Sequence, residues 1–532
     1  MKENYSWKIV LPLVAAVAMV FGILMGIALD GNTSKKSNLK SSESARKLLN
    51  IFEVIETDYV DEVDKEELLE ETISEMLHRL DPHSNYIPAK DLKRMSESIE
   101  GEFGGVGIRF AIIRDTLCVT NVIEGSPADR SGMKKFDQII IVDKDTIANV
   151  GLKNENVQEL LKGQAGTNVK LIINRNGETL DKNIVRGMVP INSVTAAHMV
   201  DEKTGYIRLS QFSMKSHKEF YNAFLELRNQ GMERLLFDLR YNGGGVMSAA
   251  VRIADGLLPV GKTIVSTKGK NQPERIDKSQ SPELYENLKV VVLINQSSAS
   301  ASEILAGAIQ DNDRGVIVGR RSFGKGLVQQ DIELTDGSNL RLTISRYYTP
   351  TGRSIQKDYK VDYQDYVMDE INRFEDGELY HPDSSLLVDS LKYTTPGGKT
   401  VYGGGGIMPD IFVPIDTVGN STYLRRLQYS GAFSDFSFDY VRFNSLDDYS
   451  TFKEFDEKFE IDQNLINEFT NYAFKQKDIK LDEKGLRQST KIIKNQLKGE
   501  IARQKWLEDG LFYIRNQVDN EFIEALKAFE KL

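Results

Sequence analysis

The sequence predicts a multidomain α/β protein, and three observations carry that reading. At 532 residues, 40% hydrophobic and 27% charged, the chain is long and apolar enough for about three globular domains. Between residues 205 and 413, β-type apolar runs (206–209, 234–239, 290–294 and 316–318) alternate with segments of helical spacing. Beyond Leu424 the texture changes. Glycine becomes rare, and Trp506, Phe512, Ile514, Phe522, Ile523, Leu526 and Phe529 fall at amphipathic-helix spacing.

Residues 9–29 form an uncharged apolar run of 21 residues, long enough to cross a bilayer as a helix. It exceeds the usual signal-peptide core, and no small-x-small cleavage site follows before Asp30, so an uncleaved anchor over residues 1–30 is expected. Cleavage and a buried soluble helix are the weaker alternatives. Lys2 and Lys8 precede the run, whereas Lys35, Lys36, Lys40, Arg46 and Lys47 follow it. Positive charge alone would keep the C-terminal side inside, although an N-terminal anchor ahead of a large domain commonly exports that domain. A polar linker spans 31–43. Leu48, Leu49, Phe52, Ile55, Leu68, Leu69, Ile73, Met76 and Leu77 then predict short helices within 44–98.

The net charge of −10 argues against a nucleic-acid binder. Cys118 is the single cysteine, so no intramolecular disulfide is available. It sits in an apolar strand pattern and reads as a small buried hydrophobe.

The chemistry concentrates at Ser300 and Lys325. Ser300 lies in Gln296-Ser297-Ser298-Ala299-Ser300-Ala301-Ser302-Glu303, between an apolar strand run and a helix-like segment. Lys325 lies in Phe323-Gly324-Lys325-Gly326-Leu327-Val328-Gln329. Desolvation lowers a lysine pKa, and a neutral amine can take a serine proton during attack. Ser300 also has a bland reading, because Ser-Ala-Ser-Glu is the spacing of a helix capping box. A helix N-terminus favours developing negative charge in either case.

Together with Leu80-Asp81-Pro82-His83-Ser84, Leu239-Arg240-Tyr241-Asn242-Gly243-Gly244-Gly245, Tyr347-Tyr348-Thr349-Pro350-Thr351-Gly352-Arg353 and Gly405-Gly406-Ile407-Met408-Pro409-Asp410, these segments resemble the C-terminal processing peptidases, or tail-specific proteases. The resemblance implies a serine/lysine peptidase core over 188–415, of the crotonase and Clp-protease-like α/β kind; the helical extension over 416–532, read from its spacing, is longer than a minimal family member needs. It selects Ser300 as nucleophile, Lys325 as base and Gln329 as the group that orients the lysine. An amide suits that last role because, unlike a carboxylate, it does not favour the charged form of the lysine. Gln330 is the decoy expected to face away.

Acyl transfer requires an oxyanion hole, expected from the Ala301 amide and from Gly244 or Gly245, with Gly244 favoured. Residues 99–187 resemble a PDZ domain of the bacterial protease type. Gly105, Val106, Gly107 and Ile108 are its expected peptide-carboxylate turn and pairing edge. The five histidines (His78, His83, His198, His217 and His381) show no local pairing that rivals Ser300 with Lys325, and Asp-Pro-His-Ser reads as a packing motif. No metal motif is present, and no cofactor is implied.

The expected function is therefore cleavage near the apolar C-termini of exported proteins, by a body facing the periplasm and held in the inner membrane through residues 9–29. A second copy of the chain and an activating adaptor protein are the further partners the family suggests. The competing reading is a PDZ-based scaffold with a silent protease core.

Overall fold

The computed structural model describes residues 43–281, 288–360, 363–382 and 388–532. The expected membrane span at 9–29 lies outside the described residues. Among those residues, no helix is long and apolar enough to cross a membrane. The chain divides into two compact units at Glu75. In the first, the helix Glu43–Asp58 buries none of its residues, and Leu49, Phe52 and Ile55 share an apolar pocket with Leu68 and Leu69.

The second unit is built on a six-stranded sheet. Its order is Val194–Met199, Thr204–Leu209, Arg234–Asp238, Lys289–Ile294, Val316–Gly319 and Ile411–Phe412. Only the first pair is antiparallel. The inner strands read as continuous apolar runs because both faces are covered. Leu235, Phe237, Val290, Val292, Ile294 and Ile317 pack beneath the helices Ser216–Asn229, Met247–Leu257 and Ala301–Asp311. Their neighbours Tyr206, Leu236, Val291, Leu293 and Val318 point the other way, onto Phe522, Ala525 and Phe529 at the end of the chain. The helix Asn520–Ala528 is thus the second lid of this sheet.

A five-stranded antiparallel sheet stands beside it. Asn85–Ile87, Asn339–Tyr348, Thr263–Lys268 and Arg275–Lys278 form its path, and Leu327–Glu333 pairs with Asn339–Tyr348. A third sheet runs Ile108–Ile113, Thr116–Val122, Gln138–Val142, Asn168–Arg175 and Glu178–Val185, packed on the helix Asn154–Leu161 through Val157 and Leu161. Cys118 is buried within it.

The C-terminal helices start where the sequence supplies caps. The side chains of Ser421, Thr451, Asp462, Asp482 and Asp519 each accept from a first-turn amide. Their core gathers Leu424, Phe433, Phe455, Phe469, Ile493 and Leu497. The long helix Glu483–Arg515 breaks at Leu507, where φ is 52°. The break sends two successive carboxylates in different directions. Glu508 pairs with Arg109 of the third sheet at 2.6 Å, and Asp509 accepts from the Ala197 amide of the first at 2.7 Å.

Candidate active site

Ser300 occupies the turn between the strand Lys289–Ile294 and the helix Ala301–Asp311, with φ 55° and ψ −110°. A non-glycine residue in that region is strained, and a strand-to-helix turn of this kind pushes a side chain out for attack. The neighbouring serines are occupied elsewhere. Ser297 Oγ donates to Glu370 Oε1 (3.0 Å), Ser298 Oγ to the Leu239 carbonyl (2.8 Å) and Ser302 Oγ to the Asn242 carbonyl (2.9 Å). Ser300 instead lines a cleft of about 340 Å³ together with Lys325, Gln329 and the apolar side chains of Val246, Met247 and Ile304.

Glu303 fixes the serine turn to the lysine loop. Its fully buried carboxylate accepts from the Ser300 amide (2.8 Å), the Gly324 amide (2.7 Å), the Lys325 amide (2.9 Å) and Ser322 Oγ (2.5 Å). Burial pushes this carboxyl up while those donors oppose the shift. The capping-box spacing thus realises its glutamate limb, and the same carboxylate reaches across to Lys325 as well. Sequence reasoning gave Glu303 only the local role. The Tyr347 hydroxyl adds a second tie, shared between the carbonyls of Ser300 and Lys325.

Lys325 is half-buried, and Nζ makes no hydrogen bond or ion pair among the described residues. Its pKa lies below the ordinary lysine value. Burial is the main cause and the Arg341 guanidinium the next, while Glu303 and Asp81 pull the other way. Gln329 sits on the strand Leu327–Glu333, directly opposite Thr343, just past a bulge in the partner strand, where Ile344 has no counterpart. Gln329 lines the cleft and Gln330, its neighbour on the strand, is exposed.

Ala301 opens its helix immediately after Ser300. The Gly244 amide, favoured above as the second oxyanion donor, donates to Asn242 Oδ1 at 2.9 Å and is committed there. Gly243 and Gly245 line the cleft instead. Gly244 serves by being small. At φ 99°, a Cβ would stand 2.7 Å from the Ala299 carbonyl and 2.8 Å from Ser300 Cβ. Gly244→Ala is therefore expected to displace the serine turn and lower kcat/KM by about 100-fold or more, measured on a peptide substrate.

At the expected peptide-carboxylate turn, Gly105 ends the strand Glu102–Gly105 and Val106 and Gly107 lead into Ile108–Ile113. The Val106 carbonyl accepts from the Ala128 amide (2.7 Å), and the Gly107 carbonyl from the Ile123 amide and Ser126 Oγ (3.0 Å each). Across a trans peptide the N–H opposes the C=O. The Gly107 and Ile108 amides therefore point away from those contacts, and Ile108–Ile113 is the edge strand of its sheet.

The histidines fall outside the reacting pair. His83 Nε2 bonds to the Tyr366 hydroxyl at 2.8 Å, and burial, with Lys325 nearby, holds its pKa down at about 3. His198 is buried against Asp509. The Asp81–Ser84 segment lies beside Gln329. Thr343 Oγ1 links them, donating to Asp81 Oδ1 at 3.0 Å and accepting from Gln329 Nε2 at 3.2 Å.

Comparison with known proteins sets this arrangement in a class. The family described as Peptidase family S41 matches residues 203–365, the PDZ domain matches 104–185, the activating protease CtpB N-terminal domain matches 26–91, and a family of unknown function matches 423–508. A carboxy-terminal-processing protease of Bartonella bacilliformis is 40% identical over 314 residues, 58% of this chain and 71% of that protein. The carboxy-terminal processing protease CtpA of Bacillus subtilis is 32% identical over 349 residues, 65% of this chain and 74% of that protein. Among solved structures, the photosystem II D1 C-terminal processing protease aligns at 25% identity over 71% of this chain and 95% of that chain, with a TM-score of 0.36. The protein is a serine-type peptidase carrying a PDZ domain. Within that class, the chain belongs to the carboxy-terminal processing proteases.

Proposed function

We propose that Ser300 and Lys325 perform acyl transfer on the C-terminal tails of exported proteins. The observation that carries this reading is the Glu303 staple, which holds a strained serine and a desolvated lysine at one cleft. Neutral Lys325 Nζ takes the Ser300 proton as Oγ attacks the scissile carbonyl. The tetrahedral oxyanion is met by the Ala301 amide and a glycine amide of the 243–245 loop. Collapse expels the amine, which receives from the Lys325 ammonium the proton that came from Ser300. Lys325 then deprotonates water, the hydroxide cleaves the acyl-serine ester, and Ser300 regains its proton.

In this reading the substrate tail is held by the PDZ domain. Its free carboxylate meets the Gly107 and Ile108 amides, and its extended backbone adds to the edge strand Ile108–Ile113. The apolar run 9–29 holds the enzyme in the inner membrane with its body in the periplasm. Protease protection of sealed membrane vesicles tests that placement.

The substrate reading is tested with an unstructured reporter ending in a free apolar tail, compared with the same reporter ending in aspartates. Preferential cleavage of the apolar tail supports it, and equal rates overturn tail recognition. Binding without cleavage favours the scaffold reading.

The base must be neutral to act, so kcat/KM rises with pH through a lysine value lower than ordinary. Arg341→Gln removes a positive charge that holds Lys325 down, so the rising limb moves to higher pH in a pH–rate profile.

A further inference from the structure

The reaction above does not use the Asp-Pro-His-Ser turn, yet the fold brings it to the back of the site. The strand Asn85–Ile87 pairs with Asn339–Tyr348, with Asn85 opposite Arg341. That register delivers the preceding turn to Thr343, whose amide donates to Ser84 Oγ at 3.0 Å. Across the same strand Thr343 faces Gln329. Asp81 is buried at 7% exposure and takes four donors: the His83 amide (2.9 Å), the Ser84 amide (2.9 Å), Ser84 Oγ (2.7 Å) and Thr343 Oγ1 (3.0 Å).

We propose that Asp81, acting through Thr343, is a positioning residue that sets which way the Gln329 carboxamide faces Lys325. The argument is one of hydrogen-bond polarity. A carboxylate only accepts, so the single Thr343 hydroxyl proton goes to Asp81. The Thr343 oxygen is then left as an acceptor, and only the NH₂ end of Gln329 can satisfy it. Gln329 Oε1 is thereby turned from the relay toward the cleft, where it can accept from the Lys325 amine. Without the carboxylate, the hydroxyl could donate to Gln329 Oε1 and present the NH₂ end to the lysine, where it would occupy the amine lone pair that must take the serine proton.

The charge of Asp81 makes a second contribution that can be read separately. The charged and titratable groups around Lys325 are Glu303 on its helix, Tyr347 and Arg341 with its partner Asp331 on the hairpin, and Asp81 and His83 on the turn. Asp81 is one of the two carboxylates that hold the lysine up against burial. Removing its charge moves the rising limb to lower pH, a shift that a purely structural role would not produce.

This inference rests on the Ser300–Lys325 reading, and the experiment separates the two. Thr343→Val, Thr343→Ser, Asp81→Asn and Lys325→Ala are made in the full chain. Cleavage of the apolar-tailed reporter is followed across pH, with thermal unfolding in parallel. Thr343→Val is expected to lower kcat roughly 10- to 100-fold with KM unchanged. Thr343→Ser, which restores the hydroxyl, should recover most of that loss, and Asp81→Asn should shift the limb to lower pH. Wild-type kcat in Thr343→Val, or equal losses in the valine and serine variants, would overturn the relay while Lys325→Ala stays about 100-fold or more impaired. Near-parent kcat/KM in Lys325→Ala would sink the base assignment and the relay with it.

Discussion

Ser300→Ala abolishes reporter cleavage, and Lys325→Ala lowers kcat/KM by about 10²- to 10⁴-fold, the range expected when a general base is lost. The two changes act on one unit, so the double variant falls no further than Ser300→Ala alone. Neither loss comes from unfolding. The Ser300 and Lys325 backbones are held by the Glu303 carboxylate and Tyr347, contacts that alanine keeps. At φ 55° alanine bears the same backbone strain as serine, so Ser300→Ala melts like the parent. Ser300→Gly, which removes the strain along with the nucleophile, melts higher. Tail binding, followed by fluorescence anisotropy of a labelled apolar peptide, stays at the parent level in both alanine variants because the PDZ edge is untouched. Cleavage persisting in Ser300→Ala would reject the nucleophile. Tail binding lost together with cleavage would show that the variant had perturbed more than the chemistry.

What could be read from sequence was what is local along the chain. Ser300 and Lys325 stand out because each carries its own context, a strand-to-helix turn and a glycine-flanked apolar loop. The central strands are legible because, with both faces covered, their apolar runs are unbroken. The same covering explains what was missed. Such a strand needs a partner layer on each side, but nothing in it says that the second layer is Phe522, Ala525 and Phe529 from the far end of the chain. Glu303 showed its capping-box spacing and hid its reach to Gly324 and Lys325, since that contact depends on how the next loop returns. Asp81 and Thr343 were out of reach for a related reason. Their meeting is set by the register of Asn85–Ile87 on Asn339–Tyr348, and register is a property of the sheet. The glycine loop shows a third limit. Composition says that the backbone approaches closely there, but only the fold shows that the Gly244 amide is bonded to Asn242.

Glu521→Ala is expected to destabilise the protein by about 3–5 kcal/mol, the cost of leaving a buried charge without its partner. Glu521 is 6% exposed and pairs with Arg240 at 2.7 Å and also with Arg320, both themselves buried. Arg240 is further held by Asp519 at 2.7 Å and by Asp238 at 2.8 Å, and Asp238 also pairs with Arg208 at 3.0 Å. Among the described residues, removing Glu521 leaves Arg320 with Gln296 Oε1 and the Val413 carbonyl, neither of which carries charge. Glu521→Gln keeps an acceptor oxygen and should cost less. The loss should also reach the chemistry. Arg240 starts the Arg240–Gly245 segment, whose Gly244 packs on Ser300, and Arg320 closes the strand that leads to the Lys325 loop. The last helix thus fastens both halves of the site to the back of the sheet. A fall in melting temperature accompanied by lower kcat/KM, both milder in the glutamine variant, is the expected pattern. An unchanged melting temperature in Glu521→Ala would mean that the two arginines are solvated well enough without it, and the C-terminal helix would then be a cover for the sheet with no hold on the catalytic loops.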